Sequence, residues 1–93
     1  MTSQEILALT DQYVMHTYGR SPVAVDHGDG ARLYTPEGRE YVDFTSGIGV
    51  CALGYGNAAW LDAIQAQAKK LGHISNLFYT EPAARLAEIL CKR

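Results

Sequence analysis

Asp43-Phe-Thr-Ser-Gly47-Ile-Gly49-Val-Cys-Ala-Leu-Gly54-Tyr-Gly56-Asn57 is the stretch on which the fold reading turns. It reads as the end of a strand, a glycine-rich crossing and the start of a helix. Four of the ten residues from Gly47 to Gly56 are glycine, and none carries charge. Backbone of that composition is not a solvated tether. It passes close to something, a partner subunit or a bound ligand.

Upstream, Ala31-Arg-Leu-Tyr-Thr35 and Glu40-Tyr-Val-Asp-Phe44 flank Pro36-Glu-Gly38. That is a hairpin pattern, because proline suits the second turn position and glycine the left-handed one. Pro22-Val-Ala-Val25 reads as a short β-branched strand, and His27-Gly-Asp-Gly30 as a turn. At the start, Thr2-x-x-Glu5 forms a capping box pattern, and Ile6, Leu9 and Tyr13 follow at helical spacing. This predicts a first helix to about Tyr18, stopped by Gly19. Downstream, Asn57 caps a second helix through Leu71, with Gly72 in the position that ends helices. His73 to Tyr79 is an irregular link. Thr80 caps a third helix that carries Ala83, Leu86, Ile89 and Leu90 on one face. The order predicts an α+β chain.

Composition narrows the function. The 93 residues are 47% apolar and 19% charged, with a net charge of −2. This is a globular balance. No basic cluster stands ready for phosphates, so nucleic acid is not an expected partner. The uncharged runs are too short to span a bilayer, and Met1-Thr-Ser-Gln-Glu5 lacks the features of a secretory signal. Cys51 and Cys91 stand 40 positions apart and form no CxxC, which reads as buried thiols in a reducing, cytoplasmic compartment. The third helix runs to the last residues without a stop signal, as in an amino-terminal piece of a longer protein.

The glycines fit neither common nucleotide motif. A dinucleotide fingerprint starting at Gly47 and Gly49 requires glycine where Ala52 stands. A P-loop requires Lys-Ser/Thr where Tyr55-Gly56 stands. A tight structural crossing and a ligand-facing loop both remain open. His16, His27 and His73 lack ligand-pair spacing, so no metal is expected. Ser46 reads as a turn residue. Lys69 and Lys70 read as a solvated helix end, and Lys92 lies at the end of the chain. No catalytic residue, and in particular no Schiff-base lysine, is read from this chain.

The run from Gly28 to Val50 resembles the amino-terminal region of class III aminotransferases, pyridoxal-phosphate enzymes of fold type I. Ala63-Ile-Gln-Ala-Gln67 and His73-Ile-Ser-Asn76-Leu-Phe-Tyr79-Thr-Glu-Pro82 continue it, most like the acetylornithine branch. No single piece is diagnostic; the ordered set is specific to the superfamily and suggestive of the acetylornithine branch. The resemblance implies a small-domain segment over 1–79 and a helix over 80–93 leading into a large domain. It implies pyridoxal 5'-phosphate as cofactor, with the reactive lysine elsewhere in the parent enzyme. Tyr18, Ile48 and Gly49 would line the substrate side of the pocket. Ser75 and Asn76 would lie near the cofactor and the interface of a homodimer.

The implied reaction moves an amino group from N-acetylornithine or a similar ω-amino donor to a 2-oxo acid, 2-oxoglutarate. Alone, the 93 residues would be inactive. Ornithine, 4-aminobutyrate, lysine or succinylornithine could replace the donor. A self-contained binding or dimerisation module is the reading from another class. The sequence departs from the family at one place. Gly54-Tyr55-Gly56-Asn57-Ala58 stands where Gly-His-x-His-Pro is usual.

Overall fold

The computed structural model describes residues 1–92 and is α+β. Its elements are α1 (Ser3–Tyr13), β1 (His27–Asp29), β2 (Arg32–Tyr34), β3 (Glu40–Val42), a single turn α2 (Ser46–Gly49), α3 (Ala58–Lys70) and α4 (Glu81–Cys91). The chain divides into two compact units, Met1–Leu61 and Asp62–Arg93.

In the first unit the capping box forms as expected. The Thr2 hydroxyl accepts from the Glu5 amide, and the Glu5 carboxylate accepts from the Thr2 amide. Helix α1 ends at Tyr13, five residues short of the expected stop. Val14 is already extended, at φ −102° and ψ 128°. The run Tyr13 to Tyr18 is rich in aromatic and β-branched residues, which lose side-chain freedom in a helix. Replacing Thr2 by Ala removes one side of the box. The expected cost to α1 is about 1 kcal/mol, visible as faster amide exchange at Glu5.

The sheet is antiparallel, in the order β1-β2-β3. The hairpin β2-β3 matches expectation, with Leu33 opposite Tyr41. Its turn is organised by Thr35, one of two buried residues in the chain's described part, the other being Ala24. The Thr35 amide donates to the Arg39 carbonyl, its carbonyl accepts from the Gly38 amide, and its hydroxyl accepts from the Arg39 amide. Glu37, at the turn tip, accepts from both the amide and the hydroxyl of Ser3, tying the start of α1 to the hairpin. Those two donors pull the Glu37 carboxyl down to about 2.

Two assignments change. Pro22–Val25 joins no strand, and His27–Asp29 is a strand rather than a turn. Only Gly30 and Ala31 turn the chain, so that Asp29 pairs with Arg32. The two glycines in His27–Gly30 serve different ends. Gly30 takes φ +57° in the turn, whereas Gly28 leaves room for the ring of Tyr55.

At the end of the first unit Asn57 caps α3 as expected, its side-chain oxygen accepting from the Trp60 amide. The helix ends differently. Gly72 does not adopt a left-handed conformation, and the Gln67 side chain instead donates to the Leu71 carbonyl. Thr80 holds the cap position of α4 but makes no side-chain capping bond. Leu86, Ile89 and Leu90 on α4 are all exposed in this chain. Cys51 is half-buried and Cys91 exposed, and both are free thiols. The expectation of two buried thiols therefore fails, in part at Cys51 and fully at Cys91, whose helix has no apolar cover here. Among the described residues no helix is long and apolar enough to cross a membrane.

Candidate functional site

The glycine-rich crossing is the most unusual piece of backbone in the chain. Ser46, Gly47, Ile48 and Gly49 have φ values of 42°, 62°, 63° and 76° in succession. The turn α2 is therefore wound left-handed at its centre, where the sequence suggests only a loop. For L-residues that hand costs roughly 1–2 kcal/mol per non-glycine residue, and a β-branched residue such as Ile48 tolerates it poorly. Glycine at 47 and 49 halves the number of residues that bear the cost. Ile48 is 95% exposed in this chain, so burial of its side chain here does not repay the strain.

Hydrogen bonds hold the turn. The Thr45 carbonyl accepts from Gly49, and the Ser46 carbonyl accepts from both Val50 and Cys51. Asp43 organises the entry. Its Oδ1 accepts from the Thr45 amide at 2.8 Å, the Thr45 hydroxyl at 2.8 Å and the Ser46 amide at 3.0 Å. Its Oδ2 accepts from the Tyr55 hydroxyl at 2.7 Å.

Tyr55 is fixed from its other side as well. Its backbone pairs with Gly30 through two hydrogen bonds, 2.9 Å and 2.8 Å long. Its ring lies against Gly28, where a Cβ would come within 2.5 Å of the ring. The two ends of the crossing are thus tied to the same hairpin.

Electrostatics follow from this geometry. The Tyr55 hydroxyl and the Thr45 donors hold the Asp43 carboxyl down at about 2. The adjacent carboxylate pushes the Tyr55 phenol up to about 12. The stability that Asp43 contributes is present above its ordinary value near 3.8 and is lost as pH falls through about 2. That of Tyr55 is present below 10 and is lost as pH rises through about 12. The pair is therefore insensitive to pH across the neutral range. A spectroscopic titration of the tyrosines should show one phenol ionising near 12, and Asp43→Asn should bring it down.

The sequence-derived residues fall in three places. Ile48 and Gly49 form the far side of the strained turn. Tyr18 is exposed and lines a groove of about 820 Å3 together with Ile6, Asp11, His16 and Arg20. The Arg20 guanidinium sits 5.9 Å from the centre of its ring. Neither Ile48 nor Gly49 lines that groove. Ser75 and Asn76 belong to the other unit, in a groove of about 300 Å3 walled by Ile74, Phe78 and Tyr79. The Ser75 hydroxyl accepts from the Leu77 amide, and the Ser75 carbonyl from Phe78. Lys70 pairs with Glu81 at 3.7 Å and Lys92 with Glu88, all on exposed surface. Among the described residues no group of three potential metal ligands gathers.

Asp43 and Tyr55 were not singled out from sequence. A signal for Asp43 exists: Asp followed by Thr and Ser two and three positions on is an Asx-turn pattern. Nothing in the sequence pairs it with Tyr55, because that bond depends on the hairpin register.

The Aminotransferase class-III family pattern matches residues 13–93. The chain belongs to the class III aminotransferases. It is similar to the acetylornithine aminotransferase of Haemophilus ducreyi, with 50% identity over 90 residues, covering 97% of this chain and 23% of that protein. Among solved structures, the acetylornithine aminotransferase of Elizabethkingia anophelis superposes with a TM-score of 0.94 at 26% identity, covering 99% of this chain and 24% of that one. The taurine:2-oxoglutarate aminotransferase of Bifidobacterium kashiwanohense, solved in complex with PLP and glutamate, superposes with a TM-score of 0.87 at 26% identity. It covers 99% of this chain and 21% of that one. The chain thus spans about a quarter or less of the length of these relatives. The family assignment and the α+β fold agree with the expectations drawn from sequence.

Proposed function

We propose that these residues are the amino-terminal segment of a pyridoxal-phosphate-dependent aminotransferase. Its donor is N-acetylornithine or a similar ω-amino compound, and its acceptor is 2-oxoglutarate. Residues 1–79 belong to the small domain, and 80–93 begin the helix leading to a large domain that carries the reactive lysine. The enzyme works as a cytoplasmic homodimer, and the 93 residues alone are inactive. The observation that carries this reading is the left-handed turn at Ser46–Gly49. It is strained, pinned by Asp43, and presents an apolar side chain that is not buried in this chain. Strain of this kind concentrates where a ligand is bound.

In the parent enzyme, pyridoxal phosphate would supply an electron sink for the carbon that gains or loses the amino group. The chain's own residues fit the task of holding and shaping. The Ser75 oxygen takes one amide hydrogen bond, which leaves its O–H to donate. With the Asn76 amide beside it, the pair suits contact to a phosphate oxygen. Ile48 offers an apolar face and Gly49 a bare backbone, which together select the donor's methylene chain by shape. Tyr18 lies under the Arg20 guanidinium, an arrangement suited to a substrate that carries carboxylates.

The replacement of Gly-His-x-His-Pro by Gly54-Tyr55-Gly56-Asn57-Ala58 favours one alternative, a class III enzyme with another ω-amino donor. The test is a donor panel on the full-length protein with 2-oxoglutarate, following the exchange between the pyridoxal and pyridoxamine absorbance bands. N-acetylornithine should give the highest kcat/KM. Better turnover with ornithine, 4-aminobutyrate or lysine would move the donor assignment, and no spectral exchange with any donor would end the aminotransferase reading.

A further inference from the structure

We infer that Tyr55 is a positioning residue for substrate: through its hydrogen bond to Asp43 it fixes the left-handed turn that presents Ile48 and Gly49. This rests on the proposed function, in which that turn faces the amino donor. The argument begins at the departure from the family pattern. A tyrosine stands where histidine is usual, and its phenol reaches Asp43 Oδ2 at 2.7 Å. The same carboxylate, through Oδ1, takes the amides of Thr45 and Ser46, the residues that lead into the turn. One carboxylate therefore has its two oxygens committed to the two ends of the crossing. With the phenol in place, the carboxylate cannot rotate to release either end without breaking a bond.

The tyrosine itself has little freedom. Two backbone hydrogen bonds bind it to Gly30, and its ring occupies the space left by the missing side chain at Gly28. The sheet thus sets the position of the phenol oxygen, the phenol sets the carboxylate, and the carboxylate sets Ser46. Ser46 has φ 42° and Ile48 has φ 63°, values that both residues leave when released. The chain has coupled substrate presentation to the hairpin register by a single hydroxyl.

Tyr55→Phe in the full-length holoenzyme removes that hydroxyl and keeps the ring against Gly28. KM for the amino donor should rise roughly tenfold, the order of loss expected for one charge-assisted hydrogen bond. Cofactor absorbance and thermal midpoint should stay close to wild type, and kcat should change much less than KM. Discrimination between N-acetylornithine and ornithine should narrow, because a loosened Ile48 selects less sharply. Tyr55→His is the second variant, for the case that the first does not fold. Its ring nitrogen stops short of the place the phenol oxygen holds, so it should show the same rise in KM. A folded variant with unchanged KM and unchanged donor preference overturns the inference, as does a variant that loses only thermal stability. If wild type transaminates no donor, the functional reading fails and takes the inference with it. An active wild type with kinetically silent variants defeats the inference alone.

Discussion

Gly54→Ala should open the crossing even though it adds a single methyl group. Gly54 has φ +71°, and a Cβ there would lie 2.6 Å from the carbonyl oxygen of Gly30. The two faults compound. The left-handed backbone alone costs about 1–2 kcal/mol for alanine, and overlap with rigid neighbours typically adds about 1–3. The neighbour has no way to yield, because the same Gly30 oxygen accepts from the Tyr55 amide at 2.8 Å. Together these give on the order of 3 kcal/mol, which is roughly a hundredfold in a local opening equilibrium. In the full-length protein the readout is amide exchange at Gly30 and Tyr55, the two donors of the bridge. Gly49→Ala is the control that separates the causes: φ is +76°, but nothing lies within 4 Å. It should show the conformational part only. Equal effects at the two positions would mean that the close approach to Gly30 is without consequence.

Asp43→Ala should release the turn altogether. The substitution leaves the amides of Thr45 and Ser46 and the hydroxyls of Thr45 and Tyr55 without their acceptor. These groups find water, so the penalty falls on order rather than on burial. Ser46 and Ile48 then relax to right-handed or extended backbone. Exchange should become fast at Gly49, Val50 and Cys51, whose amides close the turn. With the turn displaced by an ångström or more, kcat/KM of the full-length enzyme should fall by about 100-fold, the scale of loss seen when a positioning group is misplaced. Asp43→Asn keeps one oxygen for Thr45 and Ser46 and should fall between alanine and wild type. Wild-type exchange and turnover in Asp43→Ala would remove the carboxylate from any account of the site.

The legible parts of this chain are those in which neighbours along the sequence determine the outcome. Thr2 and Glu5, Asn57 and Trp60, and the Pro36–Gly38 turn each satisfy their bonds within a few residues, and each is where pattern reading places it. The errors lie where satisfaction comes from a distance. His27–Asp29 looks like a turn because it holds one glycine of the two in the cluster ending at Gly30, yet pairing with Arg32–Tyr34 makes it a strand. Gly72 looks like a helix terminator, but the Gln67 amide already meets the terminal carbonyl. The site was legible as a segment and illegible as a geometry. Glycine content marks 47–56 as close-approach backbone, whereas the hand of its first turn and the Asp43–Tyr55 bond depend on contacts 12 residues apart.

Only Ala24 and Thr35 are shielded from solvent among the described residues. Heating this chain by itself would therefore expose less new hydrocarbon than melting a chain of its length with a filled core. Since the heat-capacity increment of melting follows newly wetted apolar area, a calorimeter should record a shallow, extended endotherm in place of a peak. Ordering would then be gained, degree by degree, only as other polypeptide comes to lie against its oily faces.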